Sequence, residues 1–522
     1  MSLSRRLVLA APLGLSAPRL ARAATPLRFV PQADLAVLDP VWTAAYVTRN
    51  HAMMVFDTLY GMDAEYRIRP QMLEGDTVEA DGLTWRLRLR DGLRFHDGAP
   101  VLARDCVASI RRWGARDGLG QSLLAATASL EAADDRTIVF RLKEKFPLLR
   151  YALGKPGSPV CVVMPERLAQ TDPFQQVREM VGSGPFRFLA AEQLAGARVA
   201  YARNDAYQPR AEAPSFTAGG KRASIERVEW QVLPDPATAA SALRAGEVDW
   251  WEAPTFDQLP LLARDRQIRV AVMERTGFIG CMRLNHRQPP FNDPAVRRAI
   301  LPALRQSDFM QASAGDAPES WHDGVGFFCP GTPMASDAGM AALNAPRDLE
   351  AAKRVLVEAG YKGQRIVVLA PTDLPTLKAL ADVAADLLSR IGFNVDYQAL
   401  DWGSTLSRIN RPDPVKQGGW SIFCTFWSGL DQLDPAVNAS IRANGQGRGW
   451  PESAALESMR DQWMRSGEEA EQKRLAAEMQ RQAFVDLPYL PLGQLMARTA
   501  YRGSRMSDPQ PGFSTFWGIA LK

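Results

Sequence analysis

The sequence predicts an α/β protein, and two observations indicate this fold class. In the C-terminal half, apolar residues recur at helical spacing over 349–360 and over 377–391, and a buried-strand run, Ile366 to Leu369, lies between them. With the strand pattern that begins at Val395, this gives a strand–helix–strand order, which normally places its strands parallel. Earlier in the chain, Asp81 to Trp113 passes from a strand pattern through two turns into a helix pattern.

This earlier stretch shows both periodicities of regular structure. Apolar and polar residues alternate strictly from Leu83 to Arg90, the period of a strand with one buried face. Asp91-Gly92 supplies a turn, because glycine accepts the positive φ of a tight reversal. Beyond Ala103 the apolar residues recur at helical spacing. We expect the strand to pair with a second alternating segment, Thr137 to Leu142, in a small antiparallel sheet.

Further elements are predicted from the residues at their ends. Asp235-Pro236 is typical of a helix start, because proline at the first turn lacks only an N–H that has no helical partner there. Gly246 is expected to end that helix. Asp293-Pro294 predicts another helix start, after a strand from Gly277 to Leu284. Trp420 to Trp427 predicts a further strand in the C-terminal half.

The N-terminus has the pattern of a secretory signal peptide over residues 1–23. Ser4-Arg5-Arg6 precedes the apolar run Leu7 to Leu15, and Ala21-Arg22-Ala23 fits a cleavage site of the A-x-A type. The apolar run is too short for a transmembrane helix, which needs ~20 apolar residues. The two arginines fit either Sec or twin-arginine export, and no cysteine lies at the cleavage site. We therefore expect a periplasmic protein of a Gram-negative bacterium that is not a lipoprotein.

Composition excludes several function classes. The 522 residues include 62 Lys and Arg against 58 Asp and Glu, a net charge of +4 with the two signs interspersed. No dense basic run or nucleic-acid-binding motif is present, so we expect no nucleic-acid partner. The five cysteines and four histidines are scattered without C-x-x-C spacing. We therefore expect no metal site and no cofactor.

The motif between Asp81 and Asp105 carries a resemblance to a known family. Its pattern, dG.tw.f.LR.Gl.FhDG.P..A.D, resembles the signature of family 5 extracellular solute-binding proteins, which deliver dipeptides, oligopeptides and nickel to ATP-driven importers. Further matches follow in chain order, at Leu38-Asp39-Pro40, at Gly182 to Phe186 and at Arg297 to Ile300. The resemblance covers nearly the whole chain after the signal peptide.

The resemblance implies a two-lobed periplasmic-binding-protein fold, type II and cluster C-like, with an additional small α+β domain inserted in the first lobe. The implied division is a first lobe of 25–48, 171–277 and 489–522, an inserted sheet domain of 49–170, and a second lobe of 278–488. The lobes are expected to close on ligand around a hinge at Gly277 to Leu284. We also expect Cys281 of this segment to lie near Cys424, as a candidate disulfide.

The resemblance also indicates candidate ligand contacts. Trp427 to Asp431 resembles the W.gD motif of peptide-binding relatives, in which the aspartate pairs with the α-amino group of the ligand. The spacing here is one residue longer, so Asp431 could instead cap the next helix, with Asp434 as the alternative contact. The segment after Leu38-Asp39-Pro40 runs along the cleft in this family, although its aromatic residues could equally pack the helix. The candidate ligand-binding residues are Trp42, Thr43, Tyr46, Trp402, Trp427, Asp431 and Asp434.

The function implied by the resemblance is the substrate-binding component of an ABC importer, which captures a peptide-like or other small polar solute. Its partners are expected to be a short-peptide or small-molecule ligand and a membrane permease with its ATPases. We expect a monomer without catalysis. One alternative is a secreted hydrolase of a peptide or amide, although the chain has no G-x-S-x-G, HExxH or S-x-x-K motif. The other is a periplasmic chaperone or chemoreceptor partner of the same fold.

Overall fold

A computed structural model describes residues 25–522, so the predicted signal peptide, its arginine pair and its cleavage site lie outside the described residues. No helix within this range is long and apolar enough to cross a membrane. The strands in chain order are β1 (Leu27–Val30), β2 (Asp57–Thr58), β3 (Tyr60–Met62), β4 (Ile68–Pro70), β5 (Leu73–Val78), β6 (Thr84–Leu89), β7 (Thr127–Ala132), β8 (Thr137–Leu142), β9 (Val162–Val163), β10 (Phe186–Phe188), β11 (Arg198–Arg203), β12 (Arg227–Gln231), β13 (Trp250–Trp251), β14 (Ile268–Val272), β15 (Phe278–Leu284), β16 (Trp321–His322), β17 (Arg365–Pro371), β18 (Asn394–Leu400), β19 (Ile422–Ser428), β20 (Leu490–Leu495) and β21 (Arg498–Arg502).

The helices in chain order are α1 (Tyr46–Val55), α2 (Ala103–Gly114), α3 (Gly118–Ala126), α4 (Leu149–Gly154), α5 (Glu166–Ala169), α6 (Pro236–Ala245), α7 (Leu259–Ala263), α8 (Pro294–Arg298), α9 (Gln306–Ala314), α10 (Ala341–Asn344), α11 (Leu349–Glu358), α12 (Pro375–Arg390), α13 (Trp402–Ile409), α14 (Ala454–Arg465) and α15 (Glu469–Asp486). The two predicted Asp-Pro helix starts are confirmed. Asp235 accepts a hydrogen bond from the backbone of Thr238, and Asp293 accepts one from Ala295.

Seven strands form a mixed sheet in the order β10-β11-β12-β1-β13-β21-β14. Its core is aromatic, with the ring of Phe29 packed against Trp230, Trp250 and Phe516. We call this sheet and the helices packed on it the first lobe. The last turn of α1 belongs to the same core, so the predicted division after residue 48 cuts a helix of this lobe.

Six strands form a second sheet in the order β16-β20-β15-β19-β17-β18. The predicted strand–helix–strand unit is confirmed, since β17 and β18 pair in parallel on either side of α12 in the chain. Six of the seven residues of β17 are buried, as expected for a parallel strand covered on both faces. We call this sheet and its helices the second lobe.

A third sheet, in the order β5-β6-β8-β7, forms a small domain with α2, α3 and α4. The predicted antiparallel pair is confirmed: Trp85 of β6 lies opposite Phe140 of β8. The predicted alternation is also confirmed, because Trp85, Leu87 and Leu89 are buried and the arginines between them are exposed. We call this unit the inserted domain.

The chain crosses between the two lobes at two neighbouring places, residues 273–277 and residues 496–497. Two predictions need correction here. The segment 489–522 does not belong wholly to the first lobe, because β20 pairs with β15 in the second sheet. The predicted hinge at Gly277 to Leu284 also needs correction. β15 is hydrogen-bonded to strands on both sides, and of the predicted segment only Gly277 lies where the chain crosses between the lobes. Glycine is required there, because a Cβ would lie 2.5 Å from the carbonyl oxygen of Leu495.

All five cysteines are free and buried, so the candidate bridge between Cys281 and Cys424 is not formed. Cys281 lies opposite Thr425, and Cys424 lies opposite Met282. Directly opposed residues share one face of a sheet, and successive residues alternate faces. The two thiols therefore point to opposite faces. Among residues 25–522, no group of three His, Cys, Asp or Glu side chains is placed to hold a metal ion.

Candidate ligand-binding site

The candidate site lies at the edge of the six-stranded sheet that faces the first lobe. β17 and β19 run parallel, so their last residues, Pro371 and Ser428, lie at the same edge. The first residue of antiparallel β15, Phe278, also lies there. In α/β proteins, ligands bind outside the carboxyl ends of parallel strands. Tyr46, the first residue of α1, reaches this edge from the first lobe.

Tyr46 joins the two lobes through its phenol group. Its hydroxyl donates to Asp431 Oδ2 at 2.6 Å and accepts from the backbone N–H of Ser428 at 2.9 Å. Burial, together with the charge and hydrogen bond of Asp431, raises the pKa of Tyr46, so the phenol keeps its proton and remains a donor. The structure thus brings the sequence-predicted residues Tyr46 and Asp431 together, although 385 positions separate them.

Asp431 lies in the 3-10 turn Gly429–Gln432, directly after β19. Ser428, and not Asp431, caps this turn, since its hydroxyl accepts from the backbone of Leu430. Burial raises the pKa of Asp431, while the Tyr46 hydrogen bond and the charges of Arg49 and Lys155 act in the opposite direction. The carboxyl borders a cavity of about 240 Å³ between the inserted domain and the second lobe. It is therefore placed to accept hydrogen bonds from a ligand in that cavity.

Basic side chains line part of this cavity of about 240 Å³, which we call the larger cavity. Lys155 is paired with Asp117 at 2.9 Å, and Arg442 is paired with Glu457 at 3.0 Å on another wall. The negative partners offset these two charges. Asp431 therefore contributes a carboxyl to a wall whose other charges are mainly cationic or already paired.

Trp42 and Thr43 lie just before α1. Neither residue forms a hydrogen bond with Asp431 among residues 25–522. The guanidinium of Arg116, which borders the larger cavity, lies 5.2 Å from the centroid of the Trp42 ring and donates to the Trp42 carbonyl at 3.0 Å. Thr43 Oγ1 accepts from the backbone N–H of Ala45 at 3.2 Å. Trp42 thus supports the cavity wall through Arg116, and Thr43 stabilises the start of α1.

Asp434 has protein partners on both carboxyl oxygens. Oδ1 accepts from the backbone N–H groups of Ala436 and Val437 at 2.8 and 3.2 Å, and Oδ2 accepts from the phenol of Tyr151. Tyr151 belongs to α4 of the inserted domain. Asp434 therefore connects that domain to the second lobe, as Asp431 connects the first lobe to the second.

Trp427 and Trp402 lie at the same edge of the six-stranded sheet, Trp427 on β19 and Trp402 at the start of α13. Trp427 is the penultimate residue of β19, half-buried, and its indole Nε1 has no hydrogen-bond acceptor within residues 25–522. Trp402 begins α13 after β18, two strands further along the sheet, and its backbone N–H donates to Asp373 at 2.8 Å. Trp427 is thus adjacent in sequence to Ser428 and close to the Tyr46 contact, whereas Trp402 marks the far end of the edge.

Sequence reasoning missed Tyr151, Arg49 and Glu274. Tyr46 also borders a smaller cavity of about 70 Å³, which Arg49 and Glu274 line. Arg49 follows Tyr46 by three positions, which places both side chains on one face of α1. That spacing is the signal that could have found Arg49. No local pattern connects Tyr151 to Asp434, because 283 positions separate them.

Comparisons with known sequences give consistent matches. The family model for bacterial extracellular solute-binding proteins, family 5, middle region, matches residues 67–448. A probable peptide ABC transporter periplasmic-binding protein of Sinorhizobium fredii is 37% identical over 514 residues, which cover 96% of each chain. The glutathione-binding protein of Escherichia coli K12 is 22% identical over 485 residues, which cover 88% of this chain and 87% of the relative.

Solved structures share the fold. A periplasmic binding protein from A. tumefaciens R10, in complex with agropinic acid, matches with a TM-score of 0.78 at 19% identity and covers 95% of this chain and 99% of its own. A periplasmic binding protein from Helicobacter pylori, in complex with the peptide STSA, matches with a TM-score of 0.74 at 21% identity, covering 95% and 98%. The predicted two-lobed periplasmic-binding-protein fold is confirmed.

Proposed function

The chain belongs to family 5 of the bacterial extracellular solute-binding proteins, and on this premise we propose that it is the substrate-binding component of an ABC importer. It captures a small solute between its two lobes and delivers it to a membrane permease with its ATPases. The relatives named above bind different solutes, among them glutathione, agropinic acid and a peptide. We therefore propose a solute class, peptide-like or otherwise small and polar, rather than one compound.

The observation that carries this proposal is the contact between Tyr46 and Asp431 across the lobes. It places a half-buried carboxyl beside a cavity between the inserted domain and the second lobe. A buried charge without a partner is costly, and a charge-assisted hydrogen bond to a ligand ammonium relieves that cost. We assign Asp431 to an ammonium group of the solute and the neighbouring Trp427 to its apolar part.

Mass spectrometry of small molecules released from the purified protein tests this function. We expect one class of polar solute, and we expect its return to the stripped protein to change tryptophan fluorescence and to make the X-ray scattering profile more compact. Identical scattering profiles with and without bound solute would contradict closure of the lobes. Retention of no solute, including none from a mixed peptide library, would contradict capture.

Mass spectrometry of the solute also distinguishes a binding protein from a secreted hydrolase. Relatives in the family are binding proteins, and we propose that this chain has no catalytic activity. After prolonged incubation with the protein, the solute should be recovered intact. Recovery of its hydrolysis products, at a rate proportional to protein concentration, would favour the hydrolase.

We propose that the protein works as a monomer in the periplasm of a Gram-negative bacterium, after removal of residues 1–23 by signal peptidase. The motif Ala21-Arg22-Ala23 supports this position of cleavage. N-terminal sequencing of the periplasmic protein should therefore begin at Ala24, and a start at Met1 would contradict cleavage. Replacement of Arg5-Arg6 by two lysines should block export only if the twin-arginine route is used.

A further inference from the structure

The smaller cavity between the lobes contains a buried arginine without a strong polar partner. Arg49 is only 6% exposed, and its Nε and Nη1 have no hydrogen-bond acceptor among residues 25–522. Its Nη2 makes a long hydrogen bond, 3.4 Å, to Asn50 Oδ1. Buried charges in proteins are normally paired and hydrogen-bonded. The charges of Asp431, Glu274 and Glu252 act on Arg49, but none of these carboxylates hydrogen-bonds to it. The free N–H groups of Arg49 are therefore available to a partner from outside the chain.

Aromatic rings hold the guanidinium of Arg49 at this cavity. Its Cζ lies 3.9 Å from the centroid of the Phe513 ring and 4.9 Å from that of Tyr46. Cation–π contacts of this kind stabilise a cation, but they do not supply acceptors for the N–H groups of Nε and Nη1. Arg49, Phe513 and Tyr46 all line the cavity of about 70 Å³. The rings thus fix the position of a group whose hydrogen bonds remain available.

Glu274 also has unmet hydrogen bonding in this cavity. Its Oε1 accepts from the backbone N–H and the hydroxyl of Thr276 at 3.0 and 2.8 Å, but its buried Oε2 has no partner in the described chain. Glu252, another carboxylate of the same cavity, differs in this respect. Both of its oxygens accept hydrogen bonds, from Gln32, Asn50 and Ser514. The cavity therefore offers free donors on Arg49 and one free acceptor on Glu274, and it also offers the Nε of Arg498, whose Nη2 is paired with Glu319 at 3.1 Å.

We propose that Arg49 binds a carboxylate of the solute and that Glu274 accepts a hydrogen bond from an N–H group next to that carboxylate. A carboxylate accepts from two nitrogens of one guanidinium at once, which gives both strength and orientation. A carboxylate with a neighbouring N–H is the chemistry of a peptide C-terminus or of an N-substituted amino acid. This assignment rests on the proposed function and narrows it, because it requires a free carboxylate on the solute.

The cavity volumes agree with binding of one end of the solute. The smaller cavity, of about 70 Å³, is less than a third of the size of the larger one, of about 240 Å³, so it suits a carboxylate and its neighbouring atoms. Tyr46 borders this cavity, and its partner Asp431 borders the larger one of about 240 Å³. The rest of the solute, with its ammonium group, therefore extends toward Asp431.

A matched peptide library tests the assignment. The stripped full-length mature protein is mixed with di- and tripeptides, each present in equal amounts as the free acid and as the C-terminal amide, and the retained compounds are quantified by mass spectrometry. We expect the wild type to retain free acids over amides by about tenfold or more, the value of one charge-assisted hydrogen bond. Arg49→Gln should bring this ratio close to one, and Arg49→Lys, which keeps the charge but not the planar fork, should give an intermediate ratio.

Arg297→Gln is the matched control. Arg297 is 5% exposed and lies in α8 of the second lobe, where it donates to the carbonyls of Phe291 and Asp486. Its replacement removes an equally buried arginine outside the cavity, so the wild-type ratio should persist while stability falls. Thermal unfolding of every variant separates loss of folding from loss of selectivity, and Arg49→Lys decides the question if Arg49→Gln does not fold.

The possible failures have different meanings. A wild-type ratio near one overturns the role of Arg49 and leaves the proposed function intact, because peptides still bind. A preference for free acids that persists in folded Arg49→Gln also overturns it, since another group then recognises the carboxylate. Retention of neither form by the folded wild type contradicts the proposed peptide-like cargo itself, and the assignment of Arg49 falls with it.

Discussion

Replacement of Asp39 by alanine is expected to lower the free energy of unfolding by about 3–5 kcal/mol, because it breaks a buried ion pair. Asp39 accepts from Arg112 Nη1 and Nη2 at 3.1 and 2.6 Å, and the two side chains are 0% and 1% exposed. Asp39 also accepts from the backbone N–H groups of Val41 and Val177. The substitution leaves a buried guanidinium without its counter-charge and two backbone donors without an acceptor, at the junction between the first lobe and α2.

Urea unfolding followed by tryptophan fluorescence measures this loss. Glu131→Ala is the control, because it removes the exposed ion pair with Arg141, whose side chains are 56% and 52% exposed. An exposed pair contributes less than about 1 kcal/mol. If Asp39→Ala destabilises the protein no more than Glu131→Ala does, the buried pair does not hold the inserted domain to the first lobe. Replacing both Asp39 and Arg112 with apolar residues should recover part of the loss, since no uncompensated charge is then buried.

The parts of the fold that the sequence predicts are those fixed by local periodicity. The alternation from Leu83 to Arg90 specifies which face of β6 is buried, and its pairing with β8 follows from two matching apolar faces. The unit of β17, α12 and β18 is predicted for the same reason. The end of the second lobe is missed, because Leu490 to Arg502 contains no turn signal between β20 and β21.

The site is predictable only in part, because its contacts connect residues far apart in the chain. Tyr46 and Asp431 became candidates through family resemblance, and no pattern in the residues alone pairs them. Arg49 was overlooked because a charged residue on a helix is normally solvated, and only the packed structure shows that Phe513 and Tyr46 enclose it. Asp434, by contrast, is a candidate ligand contact from the sequence, but both of its carboxyl oxygens accept hydrogen bonds from the chain itself.

Replacement of Asp431 by asparagine is expected to weaken binding of an amine-bearing solute by about ten- to a hundredfold. The amide keeps the size of the side chain and an oxygen that accepts from Tyr46, but it removes the charge that the solute ammonium requires. A charge-assisted hydrogen bond contributes roughly 1.5–3 kcal/mol, which corresponds to this range. Isothermal titration calorimetry with the solute released from the purified protein, and with its N-acetylated form, measures the effect. The N-acetylated form should bind wild type and variant with similar, weak affinity.

Asp386→Asn provides the control for Asp431→Asn, because it removes one carboxylate from the same lobe at an exposed position of α12, where Asp386 is 67% exposed and pairs with Arg390. Its affinity for both forms of the solute should equal that of the wild type. If folded Asp431→Asn binds the amine-bearing solute as tightly as the wild type, the ammonium lies elsewhere. Glu274 then becomes the better candidate, because its Oε2 is buried in the neighbouring cavity without a partner among residues 25–522. A loss confined to the amine-bearing form, by contrast, identifies Asp431 as the residue that selects a cationic group at the interface of the two lobes.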